Sequence, residues 1–348
     1  AEAGKAKRSV WADGKEWRVR RLEWVEGARL DATAGPWADI TDEAGLHFNE
    51  SAESVRIRDE AIDGRAVSDS GSLVVADVNR DGFWDVLASG ERSETVLFLN
   101  DGQGGFVRGA APMGHAAGLG VTHVFVDLDN DGVEEWVGGD LSGYVDGRVR
   151  APVWKVKEGK WEPAPGALEA PAPPGLRDVK VEGIVPCDVD GNGFIDLFFC
   201  NYGHRDSKAD RFNRVAAYDG ADNYLWMNYG GMKFVEESDA RGIVGTQYTY
   251  VAKFWDFDFD GDPDLFEGND YGPTHLFESD GKGRFRDRAD HIFNADSNYT
   301  MGVTVADWDN TGTWSMYISN MYSHAGNRIM PLATGINEEM RRLSLVLA

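Results

Sequence analysis

Residues 188–196 read DVDGNGFID, placing Asp188, Asp190, Asn192 and Asp196 at positions 1, 3, 5 and 9 of one short turn, with Gly193 at position 6. Side chains at alternating positions of a tight loop can point to one centre. Glycine at position 6 permits the positive φ that closes the loop. The carboxylate at position 9 returns to the same centre, and position 7 offers its backbone carbonyl. Such an oxygen cage suits a hard cation that takes about six to eight oxygens at roughly 2.3 to 2.6 Å, and calcium tolerates irregular geometry better than magnesium.

The pattern recurs as DVNRDGFWD at 77–85, DLDNDGVEE at 127–135, DFDFDGDPD at 256–264 and DWDNTGTWS at 307–315. Numbered in chain order, turn 1 offers Asp77, Asn79, Asp81 and Asp85, and turn 2 offers Asp127, Asp129, Asp131 and Glu135. Turn 3 is the set given above. Turn 4 offers Asp256, Asp258, Asp260 and Asp264, an all-carboxylate set expected to bind most tightly because ligand charge raises affinity. Turn 5 keeps Asp307 and Asp309 but has Thr311 and Ser315 at positions 5 and 9, so a weak or empty site is expected there.

Asp-Gly turns also close hairpins without any metal, because Asp and Asn bond their own backbone and Gly accepts positive φ. Turn chemistry alone does not call for the acid at position 9, and four of the turns carry one. An EF-hand would place its bidentate Glu at position 12, on a helix. Here strand-like segments follow instead.

Successive first aspartates lie 50, 61, 68 and 51 residues apart, a spacing that fits four short strands plus loops, the size of a propeller blade. SLVVA, THVFV and YVAKFW precede the turns, and WDVLAS, IDLFFC and PDLFEG follow them, all β-branched or aromatic runs bounded by turn residues. A strand, glycine turn and strand then recur as LFLNDGQGGF at 97–106, LWMNYGGMKF at 225–234 and LFESDGKGRF at 276–285, and more loosely at 153–161 and 10–18. A connector, WADITDEAGL at 37–46, is echoed by FVEESDARGI at 234–243. The order predicts an all-β propeller of four-stranded blades with five calcium-loop repeats visible, six or seven blades if degenerate or missing ones are counted. The expected boundaries are 1–36, a segment whose hairpin would complete the ring; 37–329, the propeller; and 330–348, a tail with a short helix. Two stretches interrupt the period: the proline-rich 162–175, read as an extended surface loop, and the long connection 201–222.

A chain of 348 residues that is 42% hydrophobic, with 12 Trp and 17 Phe, can bury a substantial core. Its formal charge of −24 argues against nucleic acid or anionic lipid as partner and favours cations. No run of about 18 apolar residues occurs, so no spanning helix is expected. The sequence opens on Ala, which leaves room for a removed export signal. If Cys187 faces 197 across a hairpin, Cys200 falls opposite 184, so a disulfide between the two would need a shifted register; two buried thiols are the alternative.

The turns, together with ITDEAGL, the NDGQGGF-type hairpins and residues 301–329, resemble the FG-GAP or VCBS repeats of calcium-binding β-propellers, such as the integrin α-chain head. They look most like the branch containing cartilage acidic protein and UnbV-like proteins. That resemblance implies calcium in the turn joining the inner two strands of each blade, and commonly seven blades. Calcium sites of about 0.1 to 1 mM affinity stay filled only outside the cytosol, which predicts a secreted, cell-surface or periplasmic protein.

The leading functional reading is a non-catalytic, calcium-stabilised module that binds another protein or serves as an accessory subunit. Carbohydrate binding is the alternative, motivated by lectins of the family and by the 12 Trp and 11 Tyr. A propeller-based polysaccharide lyase or dehydratase comes last, since no HExxH, GxSxG or GxGxxG motif occurs and the seven histidines show no ligand spacing. His204 and Arg205, in the long connection, are the one polar pair singled out for that reading.

Overall fold

The computed structural model describes residues 5–13, 16–26, 39–49, 71–90, 93–111, 122–141, 146–157, 160–172, 179–204, 220–270, 272–289 and 299–320, with 52 and 56. The chain separates into two compact units, 1–47 and 48–348. In the first, β1 (Lys5–Asp13) and β2 (Glu16–Glu26) form an antiparallel ribbon whose tip contains the hairpin expected over 10–18. The one-turn helix α1 (Thr41–Ala44) starts where Asp39 accepts the Thr41 N–H at 3.0 Å and stops at Gly45, φ 75°.

The second unit is built of antiparallel sheets. β3 (Gly71–Ala76), β4 (Asp85–Gly90), β5 (Val96–Asn100) and β6 (Phe106–Gly109) pair in sequence order as the first sheet. β7 (His123–Val126) and β8 (Glu135–Gly138) begin the second. After β9 (Asp140–Leu141) and β10 (Arg148–Ala151), that sheet is completed by β11 (Val153–Lys157) and β12 (Lys160–Pro163), in the order β7-β8-β11-β12. β13 (Leu168–Pro171) pairs with β10. β14 (Val179–Cys187), β15 (Asp196–His204), β16 (Tyr224–Asn228) and β17 (Phe234–Glu236) form the third sheet, with β9 added as a fifth strand beside β14. β18 (Thr249–Trp255), β19 (Asp264–Asn269), β20 (His275–Ser279) and β21 (Phe285–Asp287) form the fourth. β22 (Thr300–Ala306) and β23 (Ser315–Asn320) form a two-stranded sheet among the described residues.

Side chains of a strand alternate between its two faces, and the cores follow that rule. Leu197 and Phe199 of β15 pack with Val137 and Val181 in one core, while Phe198 and Cys200 face a second with Leu225, Leu265 and Phe277. A third core joins Leu87 and Leu97 of the first sheet to Trp136 of the second. The sheets thus pack face to face in sequence order, like successive blades. His123 adds a polar joint between the first two, its Nε2 lying 2.8 Å from Ser89 Oγ while its ring packs on Trp136.

Three expectations need revision. Over its described residues the proline-rich stretch is not simply a surface loop: it holds the end of β12 and all of β13, and Leu168 and Ala170 are buried in one core with Val149 and Leu141. Among its described prolines, Pro163 and Pro171 end β12 and β13, where the missing N–H costs no ladder bond, and Pro165 stands in the turn between them. The third sheet carries five strands rather than four, because β9 crosses to it. The hairpin register also differs by one: Cys187 faces Asp196, and Cys200 faces Gly183 across a bulge, so the two cysteines are free thiols. Burial raises both, Cys187 to about 12, and keeps them unreactive. In the long connection, 201–204 extend β15, His204 ends that strand, and Arg205 lies outside the described residues. The tail at 330–348 lies outside them too.

Candidate metal centres

Every turn joins the first two strands of its sheet, and its last residue pairs with the residue before its first: Ala76 with Asp85, Val126 with Glu135, Cys187 with Asp196, Trp255 with Asp264 and Ala306 with Ser315. Within the turn the backbone folds around the first aspartate. One oxygen accepts the N–H of position 5 and the other that of the position 6 glycine, at 3.0 and 2.9 Å for Asp77, 3.2 and 2.9 Å for Asp127, and 3.1 and 2.9 Å for Asp188. Asp256 and Asp307 do the same. The position 6 glycines have φ between 81° and 101°. Position 4 is also left-handed, which the sequence did not announce, because Arg80, Asn130, Gly191, Phe259 and Asn310 share no side-chain type.

The acid at position 9 is buried in turns 1 to 4 and has backbone work of its own. One oxygen accepts the N–H of position 2: Val78 to Asp85 at 3.0 Å, Leu128 to Glu135 at 2.7 Å, Val189 to Asp196 at 3.0 Å and Phe257 to Asp264 at 3.0 Å. The other accepts the N–H ending the third strand, from Asn100, Asn228 and Ser279 in sheets one, three and four. So hairpin architecture does call for this residue, contrary to the sequence argument. Each carboxylate oxygen has two lone pairs, and these bonds leave room for a cation. Burial pushes Glu135 and Asp196 up to about 7 and Asp264 to about 6, against the lowering pull of those N–H groups.

Oxygen donors converge in three turns. Carboxylate oxygens of Asp127, Asp129 and Glu135, of Asp188, Asp190 and Asp196, and of Asp256, Asp258 and Asp260 each lie within 4.8 Å of one another. An all-oxygen, carboxylate-rich set of this kind fits calcium better than zinc or copper, which take nitrogen or sulfur. Among the described residues, turns 1 and 5 bring no three acids that close. In turn 1, Asn79 donates to Asp81 at 2.8 Å, and in turn 5 the Thr311 hydroxyl donates to Asp309 at 2.9 Å.

Two contributors were missed from the sequence. Buried Asn228, at the end of β16, donates its side-chain amide to Ile195 O in its own hairpin at 3.0 Å and to Leu128 O of turn 2 at 2.8 Å, tying turn 3 to turn 2. Asn130 of turn 2 reaches Gly193 O of turn 3 at 2.8 Å. A signal for Asn228 was present, since Asn, Asn and Ser close the first strand of the repeated hairpins at 100, 228 and 279. Lys155 of β11 is the other. Its ammonium bonds Asp129 and stands 3.6 Å from Glu135. Nothing in the loose VWKVKEGKW repeat marks it.

A family model described as FG-GAP-like repeat matches residues 77–137 and 256–318. The chain carries FG-GAP-like repeats. The matched stretches hold turns 1, 2, 4 and 5, and turn 3 has the same register and bonds as these FG-GAP-like turns. Cartilage acidic protein 1 of Xenopus tropicalis is 32% identical over 107 residues, 30% of this chain and 16% of that protein. The Mus musculus protein of the same name is 31% identical over 117 residues, 32% of this chain and 18% of that protein. The chain thus aligns with under a fifth of either relative. A solved structure of an Agrocybe aegerita lectin, described as recognising non-reducing terminal N-acetylglucosamine, matches at TM-score 0.38 and 16% identity, over 74% of this chain and 59% of that one. So loose a match carries no ligand across.

Proposed function

We propose that this chain is a calcium-stabilised, non-catalytic interaction module working outside the cytosol, its sheets the blades of a propeller of six or seven. The observation that carries the reading is the convergence of three carboxylates within 4.8 Å in each of three turns. Like charges that close raise the energy of an empty loop, and a divalent cation reverses the sign. Turns 3 and 4 would hold it through Asp188, Asp190, Asn192 and Asp196, and through Asp256, Asp258, Asp260 and Asp264. Free calcium at ten times the dissociation constant adds about 1.4 kcal/mol per site, so several sites rival the net stability of a domain. The partner proposed is another protein or subunit.

Thermal melting tests this. Calcium at about 1 mM should raise the Tm of the metal-free protein by several degrees, magnesium by less, and the D258N/D260N variant should lose part of the rise. An identical melting curve in calcium and in chelator would sink the proposal.

A second reading, carbohydrate binding, is favoured by one observation: Trp84, Trp308 and Trp314, all within turns 1 and 5, stand more than half exposed or close to it, at 65%, 50% and 54%. Open aromatic faces offer a platform for sugar rings. Retention on a glycan array that is lost in W314A would support it, and an array with no binding would remove it.

A further inference from the structure

Turn 2 differs from turns 3 and 4 in what stands opposite its carboxylates. The sheet register, continued by one residue, places Lys155 across from Glu135, where the other three sheets have Leu99, Met227 and Glu278. Lys155 is therefore the one cation at this place among the four sheets. Its ammonium bonds Asp129 and lies 3.6 Å from Glu135 Oε1, so it touches two of the three residues whose oxygens converge in turn 2. An ammonium carries three donors and one charge. A calcium ion would need the same oxygens, at about 2.3 to 2.6 Å and in company with several more. Both cannot use that centre together.

We propose that Lys155 is a built-in counter-ion that closes turn 2 to divalent cations, so that calcium loads turns 3 and 4 while turn 2 is held by the protein itself. The inference rests on the reading that these turns bind calcium. It explains why the most acidic pair of turns, 2 and 4, differ in their third strand: both carry carboxylates at positions 1, 3, 5 and 9, but opposite position 9 turn 4 has Glu278 and turn 2 has Lys155. Displacing Lys155 breaks a charge-assisted bond, which should weaken calcium at turn 2 by about ten- to a hundredfold relative to turn 4. The ammonium also fixes β11 to the hairpin of β7 and β8, which in sheets one, three and four is done by a backbone N–H at the end of the third strand.

Calorimetric calcium titration of the whole chain tests this with Lys155→Met, Lys155→Arg and Asp129→Ala, singly and combined. K155M should bind one more calcium ion than the unaltered chain, D129A should remove that ion, and K155R should leave the count unchanged. Metal-free K155M should melt lower, having lost the counter-charge, and recover in calcium; Lys155→Gln supplies the same comparison if the methionine variant does not fold. The proposal falls if D129A removes an ion from the unaltered chain, since turn 2 would then already be loaded. It falls too if K155M gains none while D258A shows that turn 4 still takes calcium. No binding by either chain would overturn the calcium reading along with it.

Discussion

Phe259 is where the turn asks most of a single residue. Position 4 adopts positive φ in every turn, and Asn130, Gly191 and Asn310 accept that at little cost, whereas Phe259 sits at 66° with its ring more than half exposed. A left-handed residue bearing a bulky Cβ substituent costs about 1 to 2 kcal/mol, offset in part by the entropy glycine would lose on folding. F259G should therefore stabilise the protein by roughly 0.5 to 1 kcal/mol, read as a higher denaturant midpoint with unchanged slope. A lower midpoint would mean that the ring has packing its exposure hides. The buried position 9 acids set the pH response. Glu135 and Asp196 titrate at about 7 and Asp264 at about 6 when folded, above the roughly 4 of an unfolded carboxyl. Their contribution to the metal-free fold is complete below about pH 4 and is lost as pH rises through 6 to 7. Calcium at turns 3 and 4 requires Asp196 and Asp264 ionised, so its effect grows over the same window, with proton release. Metal-free Tm should fall between pH 5 and 8 while the calcium-induced rise increases; parallel curves at all pH values would contradict this. Buried His123 acts oppositely: held down to about 4, it withdraws stability as pH falls from about 6.5 toward 4.

At the scale of the element, what matters is how each hairpin is tied to the strand beside it. Asn100 and Asn228 occupy equivalent ends of β5 and β16 and bind their position 9 acids alike, yet their side chains reach differently. Among the described residues the Asn100 side-chain amide donates to Trp84 O alone, at 3.1 Å, in an exposed setting. The Asn228 amide joins two carbonyls, one of them in the neighbouring sheet. Removing a partner from a buried polar group costs about 1 to 3 kcal/mol, and water can replace an exposed one. N228A should thus cost roughly 2 to 4 kcal/mol and N100A about 1 or less, measured by urea unfolding. Equal costs would show that the link from turn 3 to turn 2 contributes nothing. Turn 4 has Ser279 at this place, whose short hydroxyl accepts the Gly281 N–H within its own hairpin.

Across the whole molecule the formal charge is −24, and fourteen carboxylates stand at positions 1, 3, 5 and 9 of the first four turns. Two kinds of cation effect follow. Diffuse screening by salt relieves repulsion between distant surface charges, with a Debye length near 3 Å at about 1 M, whereas partly buried clusters are screened much less. Sodium chloride at about 1 M should therefore raise the metal-free Tm in part, and calcium at about 1 mM should still add its own increment on top. If salt abolishes that increment, calcium acts only as a diffuse counter-ion and the turns are hairpin closures and no more.

The turns were legible because their chemistry is local. A first aspartate that bonds the N–H groups four and five residues on, and a glycine at positive φ, are both encoded inside nine contiguous residues, as is the strand alternation on either side. Their repetition at blade-like intervals carried the all-β sheets and the FG-GAP-like repeats as well. What the sequence hid depends on which strand lies beside which. Leu168 and Ala170 look like loop residues among prolines until β13 is placed over a core. Asn228 meets Leu128 across 100 residues, and Lys155 meets Asp129 across 26. Local spacing marked the five turns where oxygen donors could gather; only the folded backbone decided that they converge in turns 2, 3 and 4, and only the packing of sheets that turn 2 has an ammonium beside it, because a contact between distant residues exists only once the strands carrying them are stacked.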